Sequence, residues 1–244
     1  ILPYVYARSA LGLGLAHREK LGINPFDFGM IGSSDIHTAL TTTEEDNYFG
    51  KFIHDGPAPG RTELKMAGQL QKIWRMVSSG LAGVWSTHNS REAIFDAMLR
   101  KEVYATTGSR MRVRFFAGWD FDEAALQDSQ WTQKGYAHGV PMGGQLPATQ
   151  DTNLAPTFMI KAQKDPNAAH LDRIQIIKGW LDDDGNSQEQ VYDVVASGAR
   201  TRNPVTGLFE PIKDTTDLTT ATYSNTEGSP NLEGVWRDPD FDFA

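Results

Sequence analysis

Residues 80–107 read GLAGVWSTHNSREAIFDAMLRKEVYATT, and they predict a strand, a helix and a second strand in that order. Residues 80–85 form a short apolar run that is typical of a buried strand. Asn89, with Glu92 three residues later, has the pattern of a capping box, which starts a helix. Residues 103–107 carry β-branched and aromatic side chains and end before a glycine, as strands often do. The predicted helix places its apolar side chains on one face: Ile94, Phe95, Met98 and Leu99.

The same alternation extends toward the start of the chain. Residues 4–21 predict a helix, and Gly22 is the expected C-cap. Residues 26–31 are an apolar stretch that predicts a short buried strand. Residues 41–62 are polar and contain Gly-Pro and Pro-Gly pairs, which predict a long loop, and residues 62–78 are compatible with another helix.

Beyond about residue 110, strand patterns replace this alternation. Apolar and basic side chains alternate over residues 111–116, as in a half-buried strand. Residues 182–186 (DDDGN) lack the twelve-residue pattern of a calcium loop, so a hairpin turn is the better interpretation. We therefore predict two domains, an α/β part over 1–110 and a β-rich part over 111–244. Further strands are expected at 158–162, 174–180 and 191–195.

Composition excludes several classes of function. The chain of 244 residues has a formal net charge of −8, which argues against a nucleic-acid partner because phosphate binding needs a basic face. It contains no cysteine, so disulfides and zinc–thiolate sites are excluded. No apolar stretch approaches the roughly 20 residues of a membrane-spanning helix.

The two ends of the sequence resemble interruptions. The chain begins Ile1-Leu2-Pro3 without an initiator methionine or a signal peptide, and it ends Asp242-Phe243-Ala244. We therefore interpret it as a fragment or a processed product, and we expect the β-rich domain to be truncated at its C-terminus.

Asp35-Ile36-His37 is the candidate metal-ligand motif. It follows the predicted strand at 26–31 and a turn of small residues, Gly32-Ser33-Ser34. Side chains at positions i and i+2 at the end of a strand point to the same side, so a carboxylate and an imidazole can share one cation. A structural interpretation is also open, in which Asp35 caps a turn and His37 donates a hydrogen bond to a backbone carbonyl.

Several runs of the sequence resemble the domain-of-unknown-function family 3604. The longest is LGINPFDFGMIGSSDIHT at 21–38. The other runs are EEDNYFGK at 44–51, REAIFDAM at 91–98, YATTG at 104–108, DRIQIIKGW at 172–180 and VYDV at 191–194. The resemblance therefore covers nearly the whole chain.

That family resembles a branch of the PHP (polymerase and histidinol phosphatase) metallohydrolases. The resemblance implies a fold that is α/β followed by all-β, namely the C-terminal portion of a distorted barrel and a β-sandwich-like domain. It also implies hydrolysis of phosphoesters by a metal-activated water. Asp35 and His37 match the last metal-ligand motif of the PHP group, and the resemblance places the remaining ligands before Ile1.

The resemblance implies a divalent metal, and imidazole with carboxylate suits Zn, Mn or Fe alike. A small anionic substrate is expected, and Lys51 and Arg61 on the adjacent loop are the candidate residues to bind it. A barrel lacking its first strands would expose sheet edges, so we expect either a homo-oligomer or cover from the loop at 41–62. Relatives are often exported, which suggests a periplasmic or extracellular location.

A non-catalytic role is the alternative function. In that case the β-rich half is a binding or structural module and the metal motif is idle. Its tryptophans would then form a sugar-stacking platform, although such residues more often belong to the core. The residues concerned are Trp119, Trp131, Trp180 and Trp236.

Overall fold

The computed structural model describes residues 6–40, 44, 47–53, 56, 63, 78–217, 219–220 and 222–242. Arg61, most of the loop predicted at 41–62 and most of the helix considered at 62–78 lie outside the described residues. No helix in these ranges is long and apolar enough to cross a membrane.

The first part of the chain alternates helices and short strands, as the sequence predicts. Helix α1 spans Ala7–Leu21 and ends where Gly22 adopts a left-handed φ of 71°. The Gly22 N–H donates to the carbonyl of Arg18 at 2.9 Å, which confirms the predicted C-cap. Strands β1 and β2 then pair antiparallel on either side of a helix. These elements are β1 (Ala82–Val84), α2 (Arg91–Leu99) and β2 (Val103–Ala105).

Helix α2 begins one residue later than the capping-box pattern predicts. The N-cap is Ser90, whose hydroxyl accepts a hydrogen bond from the Ala93 N–H at 3.2 Å. Asn89 therefore lies outside the helix. Glu92 lies in the first turn, where a negative charge suits the helix dipole.

The second part is built around a four-stranded antiparallel sheet in the order β10-β5-β3-β4. Strands β6 and β7 form a separate antiparallel hairpin, and β8 pairs with β9. The elements are β3 (Arg112–Gly118), α3 (Glu123–Gln127), α4 (Trp131–His138), β4 (Gly139–Pro141), β5 (Thr157–Gln163), β6 (Arg173–Leu181), β7 (Ser187–Ala196), β8 (Thr216–Asp217), β9 (Thr222–Tyr223) and β10 (Asn231–Arg237).

The core lies on both faces of this sheet. One buried cluster contains Phe116 and Met159 from the sheet with Leu126 from α3. The other contains Ile160 and Leu232 with Ile174 from β6. Because alternate residues of a strand point to opposite faces, α3 and α4 cover one face and the β6–β7 hairpin covers the other.

The turn at 182–186 closes the β6–β7 hairpin, which confirms the prediction made from its sequence. The Gly185 N–H donates to the Asp182 carbonyl at 2.8 Å, and Gly185 has a φ of 77°. The Asp182 carboxylate accepts the Asn186 N–H at 2.8 Å. This carboxylate therefore stabilises the turn, as aspartate commonly does.

The buried strand predicted at 26–31 is wrong. The segment has no strand assignment, and Phe28, Met30 and Ile31 are 45%, 39% and 51% exposed. The segment contacts His17 of α1 through Phe26 and Val103 of β2 through Gly29, but these contacts leave the three apolar side chains largely exposed.

Three elements have no clear signal in the sequence. Helix α3 has only five residues, and α4 has no side-chain N-cap. Strand β10 contains Gly234, where a Cβ would clash with Val195 of β7. This glycine therefore permits the close approach of the hairpin to the sheet, a requirement that is not visible in a strand pattern.

Within the described ranges the chain has few helices, several antiparallel sheets and no closed barrel. The chain is therefore a β-rich mixture of helices and strands, and the barrel and the sandwich-like domain stay predictions. The division at residue 110 also stays a prediction.

Candidate metal site

An extended segment of small residues carries the motif to the edge of β1 and β2. A Cβ at Gly29 would lie 2.7 Å from the Val103 side chain, and one at Gly32 would lie 2.6 Å from the Leu81 carbonyl. The Ser79 N–H donates to the Ser34 carbonyl at 3.1 Å. Glycine is needed here because the backbone passes so close to its neighbours.

A turn, and not a continuing strand, brings the two candidate ligands together. Asp35 has a left-handed φ of 53°, a conformation that aspartate tolerates better than most residues. Its N–H donates to the Ser33 hydroxyl at 3.3 Å. The predicted convergence of Asp35 and His37 is thus observed, but its cause is the turn.

His37 is held by its backbone and by its ring. Its N–H donates to the Lys51 carbonyl at 2.8 Å, and its ring centroid lies 4.4 Å from that of Phe52. Its Nε2 lies 3.2 Å from Oδ1 of Asp35. Both side chains remain about half exposed, 51% for His37 and 54% for Asp35, so solvent and solutes can reach them.

Lys51 supplies the positive charge beside the motif. Its ammonium forms an ion pair with the second carboxylate oxygen of Asp35, and its side chain is only 16% exposed. The hydrogen bond from Lys51, followed by that from His37, lowers the pKa of Asp35 below its usual range. The carboxylate is therefore ionised at neutral pH, which is the form that binds a cation.

The geometry of Asp35 and His37 fits a shared cation. Two neighbouring ligands of an ion at bond lengths of about 2.1 Å lie roughly 3.0–3.4 Å apart. The 3.2 Å between Oδ1 and Nε2 falls in this range. No third histidine, aspartate or glutamate joins them to form a cluster within the described residues. Two protein ligands alone would give a weak and open site.

A cleft of about 670 Å³ opens near this end of β1 and β2. It is lined by Ser78, by Thr107 after β2 and by His170 from the β-rich part. Ser78 is the neighbour of Ser79, whose N–H bonds to the Ser34 carbonyl. Asp35 and His37 do not line the cleft. Its charged lining residues are three acids, Glu44, Asp165 and Asp172, and one base, Arg173.

The cleft includes residues that the sequence did not indicate. Asp165 is 8% exposed and accepts the Arg110 N–H at 2.7 Å. Arg110 also forms an ion pair of 2.9 Å with Glu44. These contacts join residues that are far apart in sequence, and no local motif announces them.

The remaining candidates are dispersed. Lys51 meets Asp35, whereas Arg61 lies outside the described residues. Trp236 is partly buried and packs against Phe158 and Tyr192 with ring centroids 5.4 and 5.1 Å apart. Trp131 instead packs on Phe116. The four tryptophans therefore do not form one common platform.

Comparison with protein families gives one match over residues 1–244, to the family described as protein of unknown function (DUF3604). The resemblance to family 3604 drawn from the sequence motifs is thereby confirmed. No curated protein and no solved structure matches the chain.

Proposed function

The chain belongs to the DUF3604 family, and we propose that it forms part of a metal-dependent hydrolase that acts on phosphoesters. The observation that carries the proposal is the 3.2 Å approach of His37 Nε2 to an ionised carboxylate oxygen of Asp35. The reaction class comes from the resemblance of the Ser34-Asp35-Ile36-His37 motif to the PHP metallohydrolases.

Asp35 and His37 would hold the metal, which we expect to be Zn, Mn or Fe. When bound, such an ion acidifies a water molecule and polarises a phosphoryl oxygen. The resemblance implies that further ligands come from a segment that precedes residue 1 in the parent protein.

The other groups around the motif fix its orientation. The Lys51 carbonyl holds the His37 backbone, while Phe52 limits the rotation of the imidazole ring. The Lys51 ammonium neutralises the Asp35 carboxylate through their ion pair. Once a bound metal ion neutralises Asp35 instead, the ammonium would be available to bind a negatively charged group of the substrate. In this proposal Lys51 therefore pairs with Asp35 before the metal binds and with the substrate afterwards.

Metal binding is the first test. The unaltered chain and the double variant Asp35→Ala/His37→Ala would be equilibrated with Zn²⁺ or Mn²⁺ and their bound metal measured by elemental analysis. We expect the unaltered chain to retain metal and the double variant to lose it. His88→Ala/Asp183→Ala is the matched control, because both residues are exposed and lie away from the motif.

Lys51→Met gives a second measurement at the same site. Removing the competing ammonium should raise the metal affinity by roughly two- to fivefold, since the Asp35 carboxylate in this ion pair is about half exposed and solvent screens the pair. Hydrolysis of a phosphomonoester and a phosphodiester would be assayed on the parent protein with the same substitutions. Equal metal retention by the unaltered chain and the Asp35/His37 variant would refute the proposal.

A further inference from the structure

The face of the four-stranded sheet that carries α3 and α4 is only half covered. The helices pack on the end that contains Phe116 and Met159. At the other end, side chains of β3, β5 and β10 form two cross-strand rows on the same face. The rows are Arg114–Lys161–Glu233 and Arg112–Gln163–Asn231.

These two rows form the floor of a pocket of about 320 Å³. Trp131, from the start of α4, and Trp85, which follows β1, both line it. The volume lies near the lower end of the roughly 300–1,000 Å³ seen for small-molecule sites, so a ligand of about monosaccharide size would fit.

The aromatic walls and the cations of the pocket are fixed in place. The Trp85 Nε1–H donates to the Val113 carbonyl at 2.8 Å. The guanidinium carbon of Arg114 lies 4.2 Å from the centroid of the Trp85 ring. Lys161 Nζ lies 4.9 Å from the Trp131 ring in the same way. Such an arrangement costs little further entropy when a ligand binds.

Positive charge is in excess in the pocket. Its lining holds three cations, Arg112, Arg114 and Lys161, and one carboxylate, Glu233. Lys161 pairs with Glu233 at 2.8 Å, and Arg114 with the buried Glu102 at 3.4 Å. Arg112 forms no ion pair with any residue that the structure describes. Arg114 of β3 and Lys161 of β5 lie directly opposite each other in the strand register. Repulsion between these like charges destabilises this strand pair.

One donor of the Arg114 side chain is also unsatisfied. Arg114 Nε is buried and has no hydrogen-bond partner among the described residues. A buried donor without a partner is costly, so this side chain holds an uncompensated polar group at the edge of the pocket. The local excess of cations is the more notable because the whole chain has a net charge of −8.

We propose that this pocket binds a small organic anion, a ring-sized molecule that bears a carboxylate, sulfate or phosphate group. Arg112 and Arg114 bind the anionic group, and Trp85 and Trp131 enclose the body of the molecule. The pocket is separate from the candidate metal site. Ser79, which bonds to the Ser34 carbonyl, precedes β1 and Trp85 follows it, and the pocket lining contains neither Asp35 nor His37.

Calorimetric titration with four probes tests this proposal. Glucuronate, glucose 6-sulfate and glucose 6-phosphate differ in the anionic group, and glucose is the neutral control. We expect one or more of the charged probes to bind, the tightest of them identifying the preferred group, and glucose not to bind. Arg112→Gln should weaken that binding roughly tenfold or more, as expected when a hydrogen bond to a charged group is lost.

Arg237→Gln is the matched control, because Arg237 is an exposed arginine of β10 outside the pocket lining. It should leave the affinity within about twofold, the change expected from screened charge alone. The proposal fails if no charged probe binds at about 10 mM, or if glucose binds as well as the charged probes. It also fails if the two arginine variants weaken binding equally.

Discussion

Asp193 shows how one buried carboxylate can link a loop, a hairpin and an arginine side chain. Its side chain is fully buried. The carboxylate accepts the backbone N–H of Phe209 and the side-chain amide of Gln175, and it forms an ion pair of 3.2 Å with Arg173. Burial alone would raise the pKa of Asp193, but these hydrogen bonds outweigh it and the pKa is lowered.

Asp193→Asn should destabilise the chain by about 1–3 kcal/mol at pH 7, because it removes the charge that strengthens the buried hydrogen bonds to this side chain, while Arg173 keeps its ion pair of 3.0 Å with Asp172. The folded-state pKa of Asp193 is below the unfolded value of about 3.9. Its stabilising effect is therefore present above that value and is lost as the pH falls through the lower, folded-state pKa.

Urea unfolding at several pH values between about 7 and 3 measures this effect. The free-energy difference between the unaltered chain and Asp193→Asn should shrink as the pH falls below about 4. Asp183→Asn, in the exposed turn, should have little effect at any pH. A difference that stayed constant down to pH 3 would mean that the charge of Asp193 does not stabilise the fold.

At the scale of elements, two adjacent residues at the start of α2 both have side chains suited to an N-cap, but only one of them forms the cap. The sequence pattern indicated Asn89, whereas the structure shows the hydroxyl of Ser90 bonded to the Ala93 N–H. The two assignments predict different effects of mutation, although both residues have good capping side chains.

Ser90→Ala should lower the free energy of unfolding by about 1 kcal/mol, since it removes the acceptor for one of the free N–H groups of the first turn. Asn89→Ala should change it by less than about 0.5 kcal/mol, as expected for an exposed residue outside such a feature. Thermal or urea unfolding of both variants checks this pair of values. A larger loss of stability for Asn89→Ala than for Ser90→Ala would mean that Asn89 is the N-cap, as the capping-box pattern predicts.

At the scale of the whole molecule, buried contacts join the α/β part to the β-rich part across residue 110. Glu102 is 2% exposed, accepts a hydrogen bond from the Tyr136 hydroxyl and pairs with Arg114 at 3.4 Å. The indole of Trp85 also bonds to the Val113 carbonyl at 2.8 Å. These contacts predict that the two parts stabilise each other.

Glu102→Ala should therefore lower the free energy of unfolding by about 3–5 kcal/mol, because Arg114 would be left buried without a counter-charge. Glu19→Ala is the control, because it makes the same substitution at an exposed glutamate of α1. It should change the free energy of unfolding by less than about 0.5 kcal/mol. Urea unfolding followed by tryptophan fluorescence measures both variants. A loss below about 1 kcal/mol for Glu102→Ala would show that the two parts are energetically independent.

The first part of the chain exposes several large apolar side chains. Leu21, Ile23, Ile31 and Leu40 are more than half exposed, at 68%, 69%, 51% and 55%. Single exposed apolar residues are common on protein surfaces, and only a contiguous patch of them indicates an interaction surface. Cover by the loop at 41–62 or by a second copy stays a prediction, because most of that loop lies outside the described residues.

The sequence by itself determined the features that depend on neighbouring residues. The C-cap at Gly22, the hairpin turn at 182–186 and the strands around 112–118 and 173–181 follow from local conformational preference and from periodicity. The motif that pairs Asp35 with His37 and the membership of the family were also visible there. Apart from the family resemblance, which runs along nearly the whole chain, each of these signals is complete within a few consecutive residues.

Only the tertiary structure decided which distant residues meet. It exposed residues 26–31, placed Lys51 against Asp35, and enclosed a cationic pocket between Trp85 and Trp131. Burial and charge pairing depend on what covers a segment, and that cover comes from residues tens of positions away. For this reason the ligand motif could be found in the sequence, whereas the pocket could be found only in the fold.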